Sequence, residues 1–158
     1  MSIEKVKEYL DGLNFADRVL EFATSSATVE LAAQAVGCEP AHIAKTLGFM
    51  PKDTEAPGCI LVVAAGDAKV DNKLFKQEFG FKAKMLPADQ AEERIGHRVG
   101  GVCPFVVKPG AQVYLDESLR RFEVVYPAAG SANSAVRLNL AELEQAARPI
   151  RWVNVCKY

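Results

Sequence analysis

The segment Cys59–Ala65 constrains the fold more than any other part of the chain. It is an unbroken apolar run that follows the turn-forming pair Pro57–Gly58. A strand that is apolar on both faces has to be covered on both faces, which predicts a central strand in a sheet. The run is far shorter than the roughly 20 residues that cross a bilayer, and no signal-peptide pattern precedes it, so we expect a cytoplasmic protein.

Helical and extended patterns alternate along the rest of the chain. Capping residues and apolar spacing predict helices that begin near Ser2, Thr28, Asp71 and Asn139, with glycines closing helices at Gly12, Gly37, Gly80 and Gly96. Further strands are predicted at Val19–Phe22, Lys45–Phe49, Gln112–Leu115, Phe122–Tyr126, Ala135–Leu138 and Ile150–Val155. Since hairpin-like neighbours and helical crossovers are interleaved, we expect an α/β (α+β) fold with a mixed, partly antiparallel sheet and flanking helices. No linker or repeat interrupts residues 1–158, which predicts a single domain.

Charge and cysteine usage exclude several functional classes. The net charge is −1 over 158 residues, so a nucleic-acid partner has to be bound at a local site and not by the overall field. No Cys-x-x-Cys pair, glycine-rich phosphate loop or Gly-x-Ser-x-Gly elbow occurs, which argues against kinases, dehydrogenases and serine hydrolases. The cysteines and histidines are also far apart in sequence, at Cys38, Cys59, Cys103, Cys156, His42 and His97. We therefore expect no metal site, no cofactor and no disulfide scaffold.

Lys45 interrupts the otherwise apolar stretch Ile43–Phe49 at the point where a helical turn passes into a strand. A lysine at such a point is able to direct its ammonium into a cleft. The alternative is a lysine at a strand edge whose stem packs on apolar surface while the ammonium remains in water.

The second unusual segment is the loop Gly100–Pro104. Gly100 and Gly101 permit close approach of the backbone, and Pro104 restricts the conformation at its end. Such a loop can direct backbone N–H and C=O groups at a ligand. The alternative interpretation is a plain surface turn.

Basic residues crowd one stretch of the chain. They are Lys69, Lys73, Lys76, Lys82 and Lys84, and the spacing of the first three predicts a shared helical side. A solvated surface is the simplest interpretation of this pattern. If these lysines bind RNA, contact with a few phosphates predicts a moderate dependence of affinity on salt.

Taken together, several segments resemble the YbaK/ProX family, which is related to the editing domain inserted in bacterial prolyl-tRNA synthetases. The resemblance is carried by Thr28–Ala33 with Gly37, Ile43–Leu47 with Phe49, Ala65–Asp71, Gly96–Phe105 and Val113–Asp116. Each segment is weak alone, but their order and spacing are specific and extend over nearly the whole chain. The family lysine corresponds to Lys45, and the family loop of Gly, three residues and Pro corresponds to Gly100 and Pro104.

The resemblance implies a sheet curled into an open barrel and a trans-editing aminoacyl-tRNA deacylase. Such an enzyme hydrolyses the ester of a small mischarged amino acid, here with tRNA-Pro favoured, by substrate-assisted hydrolysis. The implied partners are the 3′ end of aminoacyl-tRNA and a cognate synthetase. Catalytic roles are implied for Lys45, Gly100 and Gly101, and substrate contacts for Val102, Cys103, Pro104, Ser131 and His97. For His97 a supporting hydrogen bond to the loop is the favoured role, and for Ser131 a solvated hairpin loop is the alternative.

Two other functions remain open at this point. One is a thiol hydrolase in which Cys103 is the nucleophile and His97 is its base, because the two residues are close enough in sequence to meet in a turn. No acidic or amide residue can be identified as the third, orienting member. The other is a non-catalytic adaptor that binds the 3′ end of tRNA or a synthetase without turnover.

Overall fold

The strand predicted to be central, Cys59–Ala65, lies in the middle of a six-stranded mixed sheet in the computed structural model. The structure describes residues 2–26, 28–98 and 100–158. The strands are β1 (Val19–Glu21), β2 (Ile43–Phe49), β3 (Cys59–Ala65), β4 (Lys69–Val70), β5 (Ala111–Asp116), β6 (Val124–Pro127), β7 (Ser134–Val136), β8 (Leu138–Asn139), β9 (Arg151–Val153) and β10 (Cys156–Lys157). The helices are α1 (Ser2–Gly12), α2 (Val29–Val36), α3 (Asn72–Phe79), α4 (Ala91–Arg94) and α5 (Leu140–Ala147).

The sheet has the order β8-β6-β2-β3-β5-β9, and two short strand pairs, β1 with β7 and β4 with β10, lie beside it. β2 and β3 are antiparallel, whereas β3 pairs in parallel with β5, and β2 with β6. The sheet curls into a half-barrel with the helices packed on it. The predicted fold class, a mixed and partly antiparallel sheet in an open barrel, is therefore confirmed.

Every residue of β3 is buried, as the apolar run predicted, and its side chains form the centre of the main hydrophobic core. A smaller cluster lies between α2 and the start of β2, where Ala32 and Ala33 pack against Ile43. This second cluster fixes the position of α2 beside the first residues of β2, which is where Lys45 lies.

The predicted helix ends agree with the observed capping contacts. The side chains of Thr28 and Asp71 accept hydrogen bonds from backbone N–H groups in the first turns of α2 and α3. Gly37 and Gly80 close these helices in the left-handed conformation. Asn139 and Glu142 form a reciprocal capping box at the start of α5. These contacts are local in sequence, which is why the residue pattern was sufficient to predict them.

Two predicted strands differ in the structure. The segment Ala135–Leu138 is divided between β7 and β8, which pair with different partners. The strand predicted at Ile150–Val155 is shorter, since it contains only β9, and a separate strand, β10, follows it. The short strand β4 was not predicted. Its two residues form a strand only because β10 pairs with them, with Val70 opposite Cys156.

Asp116, the last residue of β5, caps the turn that follows and has a second role. One carboxylate oxygen accepts from the backbone N–H of Ser118 and the other from that of Val155, both at 2.9 Å. The side chain is fully buried, so it ties the C-terminal segment to the end of β5. Within the described residues, no helix is long and apolar enough to cross a membrane.

Candidate functional site

Lys45 lies near the start of β2 and is half-buried. Its ammonium donates to two backbone carbonyl oxygens, that of Ala68 and that of Gly66, the latter at 3.3 Å. Burial lowers the pKa of Lys45, while the neighbouring Cys156 and Asp67 act in the opposite direction. An ammonium has three N–H donors, so two carbonyl acceptors leave one donor for a ligand.

The turn that holds Lys45 follows β3 and is fixed by two contacts. A Cβ on Gly66 would lie 2.0 Å from the carbonyl oxygen of Pro40, so only glycine fits where the two backbones meet. The next residue, Asp67, accepts two hydrogen bonds from the Arg121 guanidinium, at 2.5 and 3.0 Å. This pairing holds the pKa of Asp67 below its usual value. The two carbonyl groups that bind Lys45 are thereby held in place.

A small cleft of about 140 Å³ brings Lys45 together with the glycine-rich loop. Gly100 and Val102 line it from the loop, and Ile43–Thr46 line it from β2. The remaining walls come from the start of α2 and from the β6–β7 region, namely Ser26, Thr28, Val29, Ala32, Tyr126, Ala128, Ser134 and Ala135. Two segments that sequence analysis singled out separately are thus neighbours at one cleft, and its small volume suits a small organic group. We call it the lysine cleft.

The two glycines of the loop are required for different reasons. Gly100 has a φ of 93°, a left-handed conformation that side-chain-bearing residues rarely adopt. Gly101 has no such φ, but a Cβ on it would lie 2.9 Å from the Cα of Ser131 and 3.0 Å from the backbone of Gly130. Within the described residues, the N–H groups of Gly100 and Val102 donate to no protein acceptor. These donors are available to a bound molecule.

His97 and Cys103 meet behind the loop, as their spacing allowed. The His97 Nε2 lies 2.6 Å from the carbonyl oxygen of Phe105 and 3.5 Å from the Cys103 Sγ. The first contact is the supporting hydrogen bond expected of His97, and it requires the proton on Nε2 because a carbonyl only accepts. Burial raises the pKa of Cys103 to about 12, and the side chain of Cys103 has no exposed surface. Burial lowers the pKa of His97, so the imidazole is held neutral.

Ser131 and Pro104, the other predicted contact residues, are not on the walls of the lysine cleft. Pro104, the last residue of the loop, is buried. The Ser131 hydroxyl lies 2.7 Å from that of Ser134, which does line the lysine cleft. Ser131 itself lines a second, larger cleft of about 590 Å³, on the other side of the contact between Gly101 and Gly130. His97 and Gly101 also line this larger cleft. The predicted site residues therefore divide between two adjoining clefts and the packing beneath them.

Sequence analysis missed the residues that hold Lys45. Gly66, Asp67 and Ala68 belong to a segment quoted for the family resemblance, but no role was assigned to them. The glycine–aspartate pair directly after the central strand was an available signal for a tight turn. Arg121 carried no signal, because its contact with Asp67 joins residues 54 positions apart.

Comparison with known proteins identifies the family of this chain. A model of the aminoacyl-tRNA editing domain family matches residues 23–146, a range that contains Lys45 and the loop. The uncharacterized protein YwhH of Bacillus subtilis (strain 168) is 47% identical over 157 residues, which cover 99% of this chain and 98% of that protein. The chain belongs to the aminoacyl-tRNA editing domain family, and the predicted family resemblance is confirmed.

Solved structures extend the likeness to the whole fold. One reported as a candidate trans-editing enzyme for prolyl-tRNA synthetase superposes with a TM-score of 0.86 at 26% identity, over 99% of this chain and 98% of that one. The structure of a hypothetical protein, APE2540, superposes with a TM-score of 0.83 at 27% identity, over 97% of this chain and 99% of that one.

The close contact of Gly101 with Gly130 and Ser131 predicts the effect of adding a single methyl group at residue 101. We expect Gly101→Ala to lower the free energy of unfolding by about 1–3 kcal/mol, because the added Cβ meets backbone atoms that have to move. Gly12→Ala is the matched control, since a Cβ there has no atom within 4 Å. Denaturant unfolding of both variants measures the difference. Equal stabilities would show that the loops separate without cost and would contradict the close contact.

Proposed function

We propose that this protein is a trans-editing aminoacyl-tRNA deacylase that hydrolyses the ester of a small mischarged amino acid. The observation that carries the proposal is the meeting of Lys45 with Gly100 and Val102 at one small cleft, in a chain of the aminoacyl-tRNA editing family. A tRNA-Pro substrate is favoured because a structural relative is reported as a candidate editing enzyme for prolyl-tRNA synthetase. A cognate synthetase is proposed as a further partner on the same ground.

The chemistry asked of such a site is modest. Water adds to the ester carbonyl carbon, the bond from that carbon to the ribose oxygen breaks, and the ribose oxygen takes a proton. An aminoacyl ester is already activated, so orientation of the water and stabilisation of the developing oxyanion are the main requirements. The neighbouring ribose hydroxyl of the substrate assists in this scheme, and the protein supplies no nucleophile.

In this scheme the cation and the loop have separate roles. The remaining N–H donor of Lys45 binds the ester region or the 3′-terminal phosphate and stabilises negative charge there. The N–H groups of Gly100 and Val102 bind water, the ribose hydroxyl or the carbonyl oxygen. Pro104 and the hydrogen bond of His97 to Phe105 keep the loop rigid, and Ser131 supports it from the neighbouring turn.

The thiol-hydrolase alternative requires an accessible thiolate. Cys103 is close to His97, but its side chain is completely buried and its pKa is raised to about 12, so the thiolate is scarce at neutral pH. His97 uses Nε2, the nitrogen nearest the sulfur, in its contact with Phe105. These contacts favour a packing role for both residues.

The experiment that tests the function is a turnover assay with purified protein and one tRNA charged in turn with alanine, cysteine, serine, threonine and proline. We expect hydrolysis of at least one small ester, with the prolyl ester spared because its ring and secondary amine do not fit beside the rigid loop. A pocket distinguishes side chains that differ by one methylene only by about 10–200-fold, so neighbouring substrates will overlap. No turnover above the spontaneous rate would support the adaptor, and rapid cleavage of the prolyl ester would refute editing.

Lys45→Ala should lower kcat/KM for deacylation by about 10²–10³, the scale of losing one preorganised electrostatic contact. Lys73→Ala, an exposed lysine on α3, is the control and should retain full activity. Circular dichroism and thermal unfolding establish that both variants fold. A folded Lys45→Ala protein with wild-type turnover would remove Lys45 from the mechanism.

Cys103→Ala distinguishes backbone positioning from thiol catalysis. We expect the variant to keep most of its activity, because only a buried contact is lost, whereas a nucleophilic thiol would leave it inactive. Single-turnover kinetics should also show no acyl-enzyme in the wild-type protein. A dead but folded variant, or an acyl group trapped on Cys103, would overturn the backbone mechanism.

A further inference from the structure

The larger cleft beside the loop has no role in the proposed hydrolysis. Its volume is about 590 Å³, roughly four times that of the lysine cleft. Three basic side chains line it, Lys5 from α1, Arg98 and Lys108, together with one acidic side chain, Glu92. Arg98 and Glu92 form an exposed ion pair at 2.7 Å, so the uncompensated positive charge comes from the two lysines.

The two clefts share one ridge. Gly100 lines the lysine cleft, and the adjacent Gly101 lines the larger one. On the facing segment, Ser134 lines the lysine cleft and Ser131 lines the larger one. A cleft of about 140 Å³ accepts an aminoacyl group but has no room for the nucleotides attached to it. A substrate esterified to RNA therefore has to continue out of the lysine cleft along a neighbouring surface.

We infer that the larger cleft binds the single-stranded 3′ end of the RNA, meaning the nucleotides that precede the esterified one. The inference rests on the proposed function. Its grounds are the shared ridge, the greater volume and the net positive charge of the lining residues. It assigns to Lys5 and Lys108 the role of phosphate-binding residues.

The lining predicts how the RNA is held. Apart from the imidazole of His97, the described lining residues include no aromatic ring on which a base could stack, and Val106 and Val107 provide the apolar surface. Binding should therefore depend on phosphate charge and tolerate different bases. For single strands, each phosphate contact contributes about 0.7 to the slope of log affinity against log salt.

The lysine-rich stretch seen in the sequence is a weaker candidate for this role. Lys69 lies on β4 and not on the helix, so the shared helical side predicted for the first three lysines of that stretch is not observed. Lys73 and Lys76 lie on α3 and line neither cleft. They offer a pair of exposed lysines with which a charge change of the same size can be compared.

The test compares Lys5→Glu/Lys108→Glu with Lys73→Glu/Lys76→Glu, two double variants with equal changes in net charge. Each is assayed on an aminoacyl-tRNA and on the same amino acid esterified to adenosine alone, which lacks the preceding nucleotides. We expect the first variant to lower the ratio of kcat/KM for the tRNA ester to that for the adenosine ester by about ten-fold, through KM, and to reduce the salt slope by about 1.4. The second should leave the ratio and the slope at wild-type values.

A direct binding measurement separates this inference from the proposed function. A fluorescent single-stranded RNA with the acceptor-end sequence of tRNA is titrated with the wild type and both variants at several salt concentrations. Weaker binding in the Lys5/Lys108 variant alone supports the RNA cleft even if no ester is hydrolysed, an outcome that would refute only the deacylase. Equal RNA affinity and equal kcat/KM ratios in the two variants would overturn the inference while leaving any observed deacylation standing.

Discussion

The hydrogen bonds from the Lys45 ammonium to the carbonyl oxygens of Gly66 and Ala68 determine what the lysine cleft can do. A half-buried cation loses hydration, and backbone acceptors compensate for that loss while fixing the direction of the side chain. The acceptors are themselves fixed, because Gly66 is packed against Pro40 and because Asp67 is bound by Arg121. The charge is therefore part of a rigid arrangement that links the turn after β3 to the turn before β2.

Besides this cation, the glycine-rich loop lines the lysine cleft through Gly100 and Val102. Gly100 supplies a left-handed conformation and Gly101 allows two loops to touch. Among the described residues, the N–H groups of Gly100 and Val102 have no protein acceptor. Directed donors of this kind stabilise negative charge that develops on a carbonyl oxygen. An activated ester is the type of substrate for which such a site is sufficient, which accords with membership of an editing family.

The pair His97 and Cys103 illustrates how proximity differs from chemical capability. Their side chains are in contact, but the contact is buried and shares the carbonyl oxygen of Phe105. In that environment a thiol stays protonated and an imidazole stays neutral, since burial disfavours the charged form of each. Both groups hold the loop that forms the ridge between the two clefts.

The sequence alone was sufficient for features that depend on neighbouring residues or on one strong pattern. The apolar run of β3 predicted a central buried strand, and Thr28, Asp71 and Asn139 predicted helix starts, because burial and capping are expressed in local residue types. Residue patterns also singled out Lys45 and the loop, and the family resemblance implied roles for them. Only the tertiary structure decided that they share a cleft, since that depends on how the sheet curls and on which strands pair.

The same limit applies to the contacts that hold the site together. The glycine at Gly101 was visible in the sequence, but the backbone of Ser131 that makes it necessary is brought close by the fold. Likewise, no local pattern indicates that Arg121 pairs with Asp67, because only the fold brings these two residues together. Residue identity determines which conformations and charges are available, whereas packing between distant segments determines which of them meet, because no local pattern records a contact made across the fold.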